Sequence, residues 1–124
     1  MEKKIKIITD ALKVEAELNN STTARLIWEA LPIESNNNLW GEEIYFSIPV
    51  KMGQEKEARE VVSAGELGYW PSGHAFCIFF GPTPASQGDE IRAASAVNII
   101  GKVVSDPKIF RKAKDGAKIT LEKA

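Results

Sequence analysis

Gly65 to Pro84 reads GELGYWPSGHAFCIFFGPTP, and the way turn residues bracket apolar ones in it decides the fold. Two glycines and the Trp70-Pro71-Ser72-Gly73 turn flank Tyr69. An unbroken apolar run, Ala75 to Phe80, then stops at Gly81-Pro82. Six apolar residues, three of them phenylalanine and none charged, must lose water on both faces, so the run is a central strand and the segment before it its hairpin partner.

Working outward, the N-terminal side alternates with a period of two. Ile5 and Ile7 stand among lysines, Thr9-Asp10 interrupts, and Leu12, Val14, Ala16 and Leu18 resume against Lys13, Glu15 and Glu17. This predicts a hairpin with one wet face. The cluster Asn19-Asn20-Ser21-Thr22-Thr23 offers several caps to a short amphipathic helix over 22–31, stopped by Pro32. Ser35 to Asn38 reads as a polar loop. Ile44, Phe46 and Ile48 alternate with Tyr45 and Ser47 as a strand that ends at Pro49. Lys51 to Glu60 is charged and contains glycine, the composition of a surface loop and a candidate flap beside a cleft, and Val61-Val62 follows as a short strand.

On the C-terminal side, Thr83 to Glu90 is a second loop. Ala96 to Val104 is a long apolar strand carrying Asn98, and Gly101 within it marks a bulge or a tight bend. Asp106-Pro107 is a cap followed by a first-turn proline, which predicts a second helix over 107–114 with Ile109, Phe110 and Ala113 inward. Ala117, Ile119 and Leu121 alternate as a last strand. About eight short strands and two short helices in a single domain of 124 residues predict a mainly β fold, a closed barrel capped by the helices.

Charge and cysteine usage narrow the function classes. Sixteen basic against 17 acidic residues leave a formal charge of -1. That balance lacks the concentrated positive field that nucleic acid requires, so no nucleic-acid partner is expected. Cys77 is the single cysteine, which excludes an internal disulfide and a Cys-rich metal site. No stretch approaches the ~20 apolar residues of a membrane span and no signal peptide opens the chain, so the expectation is a cytoplasmic protein without a membrane partner. No phosphate loop, dinucleotide fingerprint or zinc spacing is present, and no cofactor is expected.

Taken together, Trp40-Gly41-Glu42-Glu43-Ile44-Tyr45-Phe46, Gly65 to Pro84 and Ala96 to Val103 resemble the small prokaryotic cyclophilin-like proteins. The resemblance spans nearly the whole chain. It implies a closed eight-stranded barrel with two capping helices, in a group without an established biochemical function. Val97 to Val103 resembles the strand that carries an active-site histidine in true peptidyl-prolyl isomerases, and that position here is Val97. The isomerase arginine would fall within Glu42 to Ile48, which contains none, and the glutamine that follows it has no clear counterpart.

Isomerisation needs an apolar seat for proline and a fixed cationic donor for the twisted amide. The chain has the aromatic residues but no arginine in the implied place. Arg59 and Arg92 are the two that a rearranged isomerase site would have to recruit. His74 follows Pro-Ser-Gly with no nucleophile or second ligand at a recognisable spacing, which makes it a turn residue. Cys77, inside the apolar run, reads as a buried small hydrophobe. The doublets Glu42-Glu43 and Asp89-Glu90 read as solvated surface, since neighbours on a strand point to opposite faces.

Trp40, Tyr45, Tyr69 and Trp70 stand beside turns and glycines, where an aromatic ring with a polar handle suits a recognition wall; the opposing view is that the two tryptophans plug the barrel ends. The expected site therefore joins Trp40, Glu42, Tyr45, Tyr69, Trp70 and Asn98, with the 51–60 loop as its cover and a peptide or small amide-containing molecule as its ligand. The alternatives are an isomerase with a rearranged active site and, by fold analogy, a subunit with a protein partner or in a homo-oligomer.

Overall fold

The computed structural model describes residues 3–124. Its strands are β1 (Lys3–Thr9), β2 (Leu12–Leu18), β3 (Ile33–Asn36), β4 (Asn38–Leu39), β5 (Glu43–Ser47), β6 (Arg59–Val62), β7 (Glu66–Trp70), β8 (Ala75–Phe79), β9 (Ile91–Val103) and β10 (Lys118–Lys123), with helix α1 at Thr22–Ala30. The fold is mainly β, and every strand pair is antiparallel. Neighbours run β3-β10-β1-β2-β9-β7-β8-β5-β4, and β6 pairs with β9 off this path.

The expected closed eight-stranded barrel is corrected in two respects. Among the described residues there are ten strands, and no ladder joins the two ends of the path. Those ends, β3 and β4, are instead consecutive in the chain with Asn37 between them. The 35–38 stretch that reads as a polar loop supplies half of each strand. Its residues are polar because β3 and β4 each pair on one side only, the first with β10 and the second with β5, which leaves most of their side chains in water.

The β8 run is buried at all five positions, as an unbroken apolar strand requires. Alternation sorts it into two cores. Phe76 and Ile78 join Ile44, Phe46, Leu67, Tyr69 and Ile100 in the main core, while Cys77 and Phe79 face the other side and join Val62, Ile91, Ala93 and Val97 in a smaller apolar cluster. Two layers of packing on one sheet explain why the alternation signal vanishes here.

β9 makes the second layer. Its C-terminal half pairs with β7 and β2, whereas its N-terminal half leaves the main sheet and pairs with β6. Leu67 opposes Gly101 and Gly68 opposes Ile99, so Ile100 is the extra residue of a bulge adjacent to the predicted glycine. Gly101 itself is a close approach: a Cβ there would overlap the Glu17 carbonyl oxygen on β2.

Ser21 is the cap that α1 uses, its Oγ accepting from the Ala24 amide at 3.2 Å. The second predicted helix is corrected to a 3-10 helix over Pro107–Lys112, capped by Asp106. Phe110 and Ala113 are both buried, and a spacing of three matches the three residues per turn of that helix rather than 3.6. Among the described residues no helix is long and apolar enough to cross a membrane.

Candidate functional site

The outward face of β5 carries Glu43 and Tyr45, because Ile44 and Phe46 are committed to the main core. Glu43 lies opposite Phe79 and Tyr45 opposite Cys77, which puts Glu43 and Cys77 on a diagonal of the same face. Trp70 ends β7 on this side, and Val97, Ala93 and Ala94 descend from the diverging half of β9. Between them opens a cavity of about 210 Å³.

Trp40 reaches the cavity from the turn before β5. That turn depends on Gly41, which has φ +61° and sits so close to Pro82, Thr83 and Pro84 that any side chain would collide with them. The Glu42 amide donates to the Pro82 carbonyl at 2.9 Å, and the Trp40 amide to the Glu43 carbonyl at 2.9 Å. Trp70 is fixed from two sides: its indole Nε1 donates to Ser95 Oγ at 2.6 Å, and its ring lies edge-on to Tyr45 with centroids 6.5 Å apart and planes 79° apart. Both tryptophans and Tyr45 are partly exposed. All three line the cavity.

Glu43 is the acid of the site. It is 5% exposed, and its Oε1 is buried with no hydrogen-bond partner. Burial pushes its carboxyl up to about 7, with the neighbouring Cys77 thiol pulling the other way. Cys77 is fully enclosed, and burial, reinforced by the negative charge of Glu43, holds its thiol well above the ordinary range. It is therefore a neutral thiol, in keeping with a buried small hydrophobe and not with a nucleophile.

Three expected site residues belong elsewhere. Glu42 points to the opposite face from Glu43 and is bound by Arg111, Nε to Oε2 at 2.5 Å. Tyr69 is wholly buried in the main core; its hydroxyl donates to the Val50 carbonyl at 2.5 Å and accepts from the Met52 amide at 3.2 Å. The turn that follows exposes Trp70 but not the strand residue before it, whose alternation sends it inward. Asn98, next to Val97, faces away from the cavity and is 1% exposed. Its amide donates to Thr23 Oγ1 and to the Gly53 carbonyl, each at 3.0 Å, and accepts from the Glu55 amide at 2.8 Å.

The same bonds place the expected flap. Asn98 ties residues 53–55 to α1 and β9, beside a more polar depression of about 470 Å³ between 19–22 and 55–59, so the loop does not line the aromatic cavity. The structure thus brings together Trp40, Tyr45 and Trp70 from the expected set and adds Glu43, Cys77, Ala93, Ala94 and Val97. The signal for Glu43 was present in the sequence, as the out-facing partner of two core residues. What hid it is that β9 covers that face from a distance of some 50 residues.

His74 is exposed and caps the 3-10 turn Pro71–Gly73 in the left-handed conformation, its amide donating to the Pro71 carbonyl at 3.3 Å. Arg59 pairs with Glu66, and Arg92 with Glu60 and Glu90. Neither lines the cavity. Among the described residues no three His, Cys, Asp or Glu side chains converge on one point.

Residues 3–122 match the family model described as cyclophilin-like. The chain is also similar to the solution structure of a hypothetical protein from Archaeoglobus fulgidus, with 39% sequence identity and a TM-score of 0.84 over 99% of this chain and 95% of that one. Among the curated proteins none matches.

Proposed function

The chain belongs to the cyclophilin-like family, and from that premise we propose that it is a binding module whose outer cavity holds a small molecule or one side chain of a peptide without turning it over. The observation that carries this reading is Glu43, whose carboxyl belongs to the lining of an otherwise apolar and aromatic cavity and whose Oε1 is buried without a partner. Such an atom costs about 1–3 kcal/mol unless something supplies its hydrogen bond, and a ligand whose donor reaches it from the cavity would supply it. Rings held by Ser95 and by each other give the ligand a preformed seat. In this reading the joint at Asn37 completes a barrel through the chain itself, so β5 is braced from both sides.

Titration with a mixture of short peptides and amide-containing fragments, followed by amide and indole signals, tests it. Binders should shift the Trp40 and Trp70 indoles together with the amides of Cys77 and Val97. Shifts confined to Asn98, Glu55 and Asn20, the polar depression, would move the site and refute the assignment.

The isomerase reading fares worse because no described residue of the cavity wall is a cation: Val97 is one of its aliphatic faces, and Arg59 and Arg92 are paired elsewhere. Loss of one preorganised donor costs on the order of 100-fold or more in rate. A protease-coupled assay on proline peptides should therefore give turnover at or near the uncatalysed level. Turnover typical of a cyclophilin that disappears in Arg92→Ala would reinstate the isomerase.

A further inference from the structure

The binding reading leaves the chemistry of the ligand open, and the cavity walls go further. We propose that the occupant is an organic monocation, an alkylammonium group whose carbon substituents lie against Trp40, Tyr45 and Trp70 and whose charge is matched by the carboxylate of Glu43.

The aromatic part follows from the ring arrangement. Tyr45 and Trp70 meet nearly at right angles, so they offer two differently oriented surfaces at one corner, and Trp40 adds a third wall. The negative faces of aromatic rings attract a cation most strongly where water is excluded, and tryptophan does so best. Enclosure by several rings is how proteins hold alkylammonium groups.

The charge part follows from Glu43. Its carboxyl is buried with one oxygen unpartnered, and among the described residues no lysine or arginine lines the cavity. Three of the arginines are engaged elsewhere: Arg111 with Glu42, Arg92 with Glu60 and Glu90, Arg59 with Glu66. Among the described residues that line the cavity, none therefore supplies a counter-charge for Glu43.

The other titratable groups facing Glu43 are few. β8 contributes the neutral thiol of Cys77 and β5 the phenol of Tyr45, while β9 contributes only Ala93, Ala94 and Val97. Glu42 lies on the far face, paired to Arg111. With its carboxyl pushed up to about 7 by burial, empty Glu43 is partly protonated at neutral pH. A bound cation favours the ionised form, so binding releases a proton and tightens as pH rises through 7. A neutral carbonyl ligand would do the reverse, because it needs the protonated acid as a donor.

Choline and 3,3-dimethylbutan-1-ol have the same shape and differ in charge, which makes them the probes. Each is titrated into the full chain at pH 8 and pH 5.5 while the three tryptophan indole signals are followed. Choline should shift Trp40 and Trp70 and leave Trp28, on α1, in place. It should bind at pH 8 at least about tenfold more tightly than the alcohol, weaken at pH 5.5, and lose about tenfold in Glu43→Gln.

The comparison of the two probes uses the unaltered protein and stands whatever the variant's folding. Equal or tighter binding of the alcohol, or choline affinity unchanged in folded Glu43→Gln, overturns the cation assignment and leaves the binding module intact. If neither probe moves the Trp40 or Trp70 indole, the assignment and the cavity as a binding site for such groups both fall.

Discussion

At the scale of the residue, Glu43 shows how a solvated-looking doublet divides. Glu42 and Glu43 are chemically alike and adjacent, yet one is held by Arg111 in water and the other is enclosed. A carboxyl raised from 4.5 to about 7 by burial makes stability depend on pH in a definite direction. Between those values the unfolded chain has lost the proton that the folded chain keeps, so stability falls as pH rises from 4.5 to 7 and is level above. The shift corresponds to about 3 kcal/mol, an upper figure. Glu43→Gln should therefore raise the midpoint of thermal unfolding at pH 8 and change it little at pH 5, as measured by calorimetry at both. A variant destabilised equally at the two values would mean that the carboxylate is stabilised in the fold by a group not identified.

At the scale of the element, β9 explains most of what sequence patterning missed. Its apolar run is visible from Ala96 to Val104, but the half that begins at Ile91 alternates irregularly because its register against β6 shifts between Arg59 and Val61 before the strand passes to β7 and β2. Tyr69 and Asn98, expected as ligand contacts, lie outside the lining of the aromatic cavity for a related reason. Each is polar because it ties down the 50–55 segment, and a single chain read in order does not reveal which distant backbone a side chain will serve. Tyr69→Phe leaves the Val50 carbonyl and the Met52 amide without their partner and should cost about 1–3 kcal/mol. Denaturant unfolding measures that loss, and occupancy of the aromatic cavity should be unchanged. Gly101→Ala presses a methyl group into the Glu17 carbonyl where β2 crosses β9. Its cost should reach or exceed the upper end of the ~1–3 kcal/mol typical of overpacking, and a variant with the same denaturation midpoint as the parent would show that the two strands can separate freely there.

At the scale of the whole molecule, the strand periods and the doubly buried Ala75 to Phe80 run made the mainly β class and the places of the long strands along the chain legible, whereas the manner in which the sheet ends meet was not. Two-residue and four-residue strands carry too few positions to show a period, and three consecutive asparagines look like a loop. Asn37 is the residue on which that meeting turns. It is 1% exposed, its amide donates to the Ala117 carbonyl and its carbonyl accepts from Gly116, both at 2.8 Å. Its side-chain nitrogen donates to Thr9 Oγ1 at 2.9 Å and to the Lys114 carbonyl at 3.3 Å. One residue thus connects β1, the segment before β10 and both ends of the strand path, while Leu39 on β4 is held by Asp115 through its amide at 3.0 Å. If this joint acts in place of a closing ladder, Asn37→Ala should cost about 1–3 kcal/mol for the lost buried bonds and open the molecule unevenly. Hydrogen exchange should then quicken at Gly116, Leu39 and the β3–β10 amides, while β7 and β8 keep their protection. Uniform acceleration across all strands would mean instead that the sheet opens as one unit and that the meeting at Asn37 is only a turn of the chain.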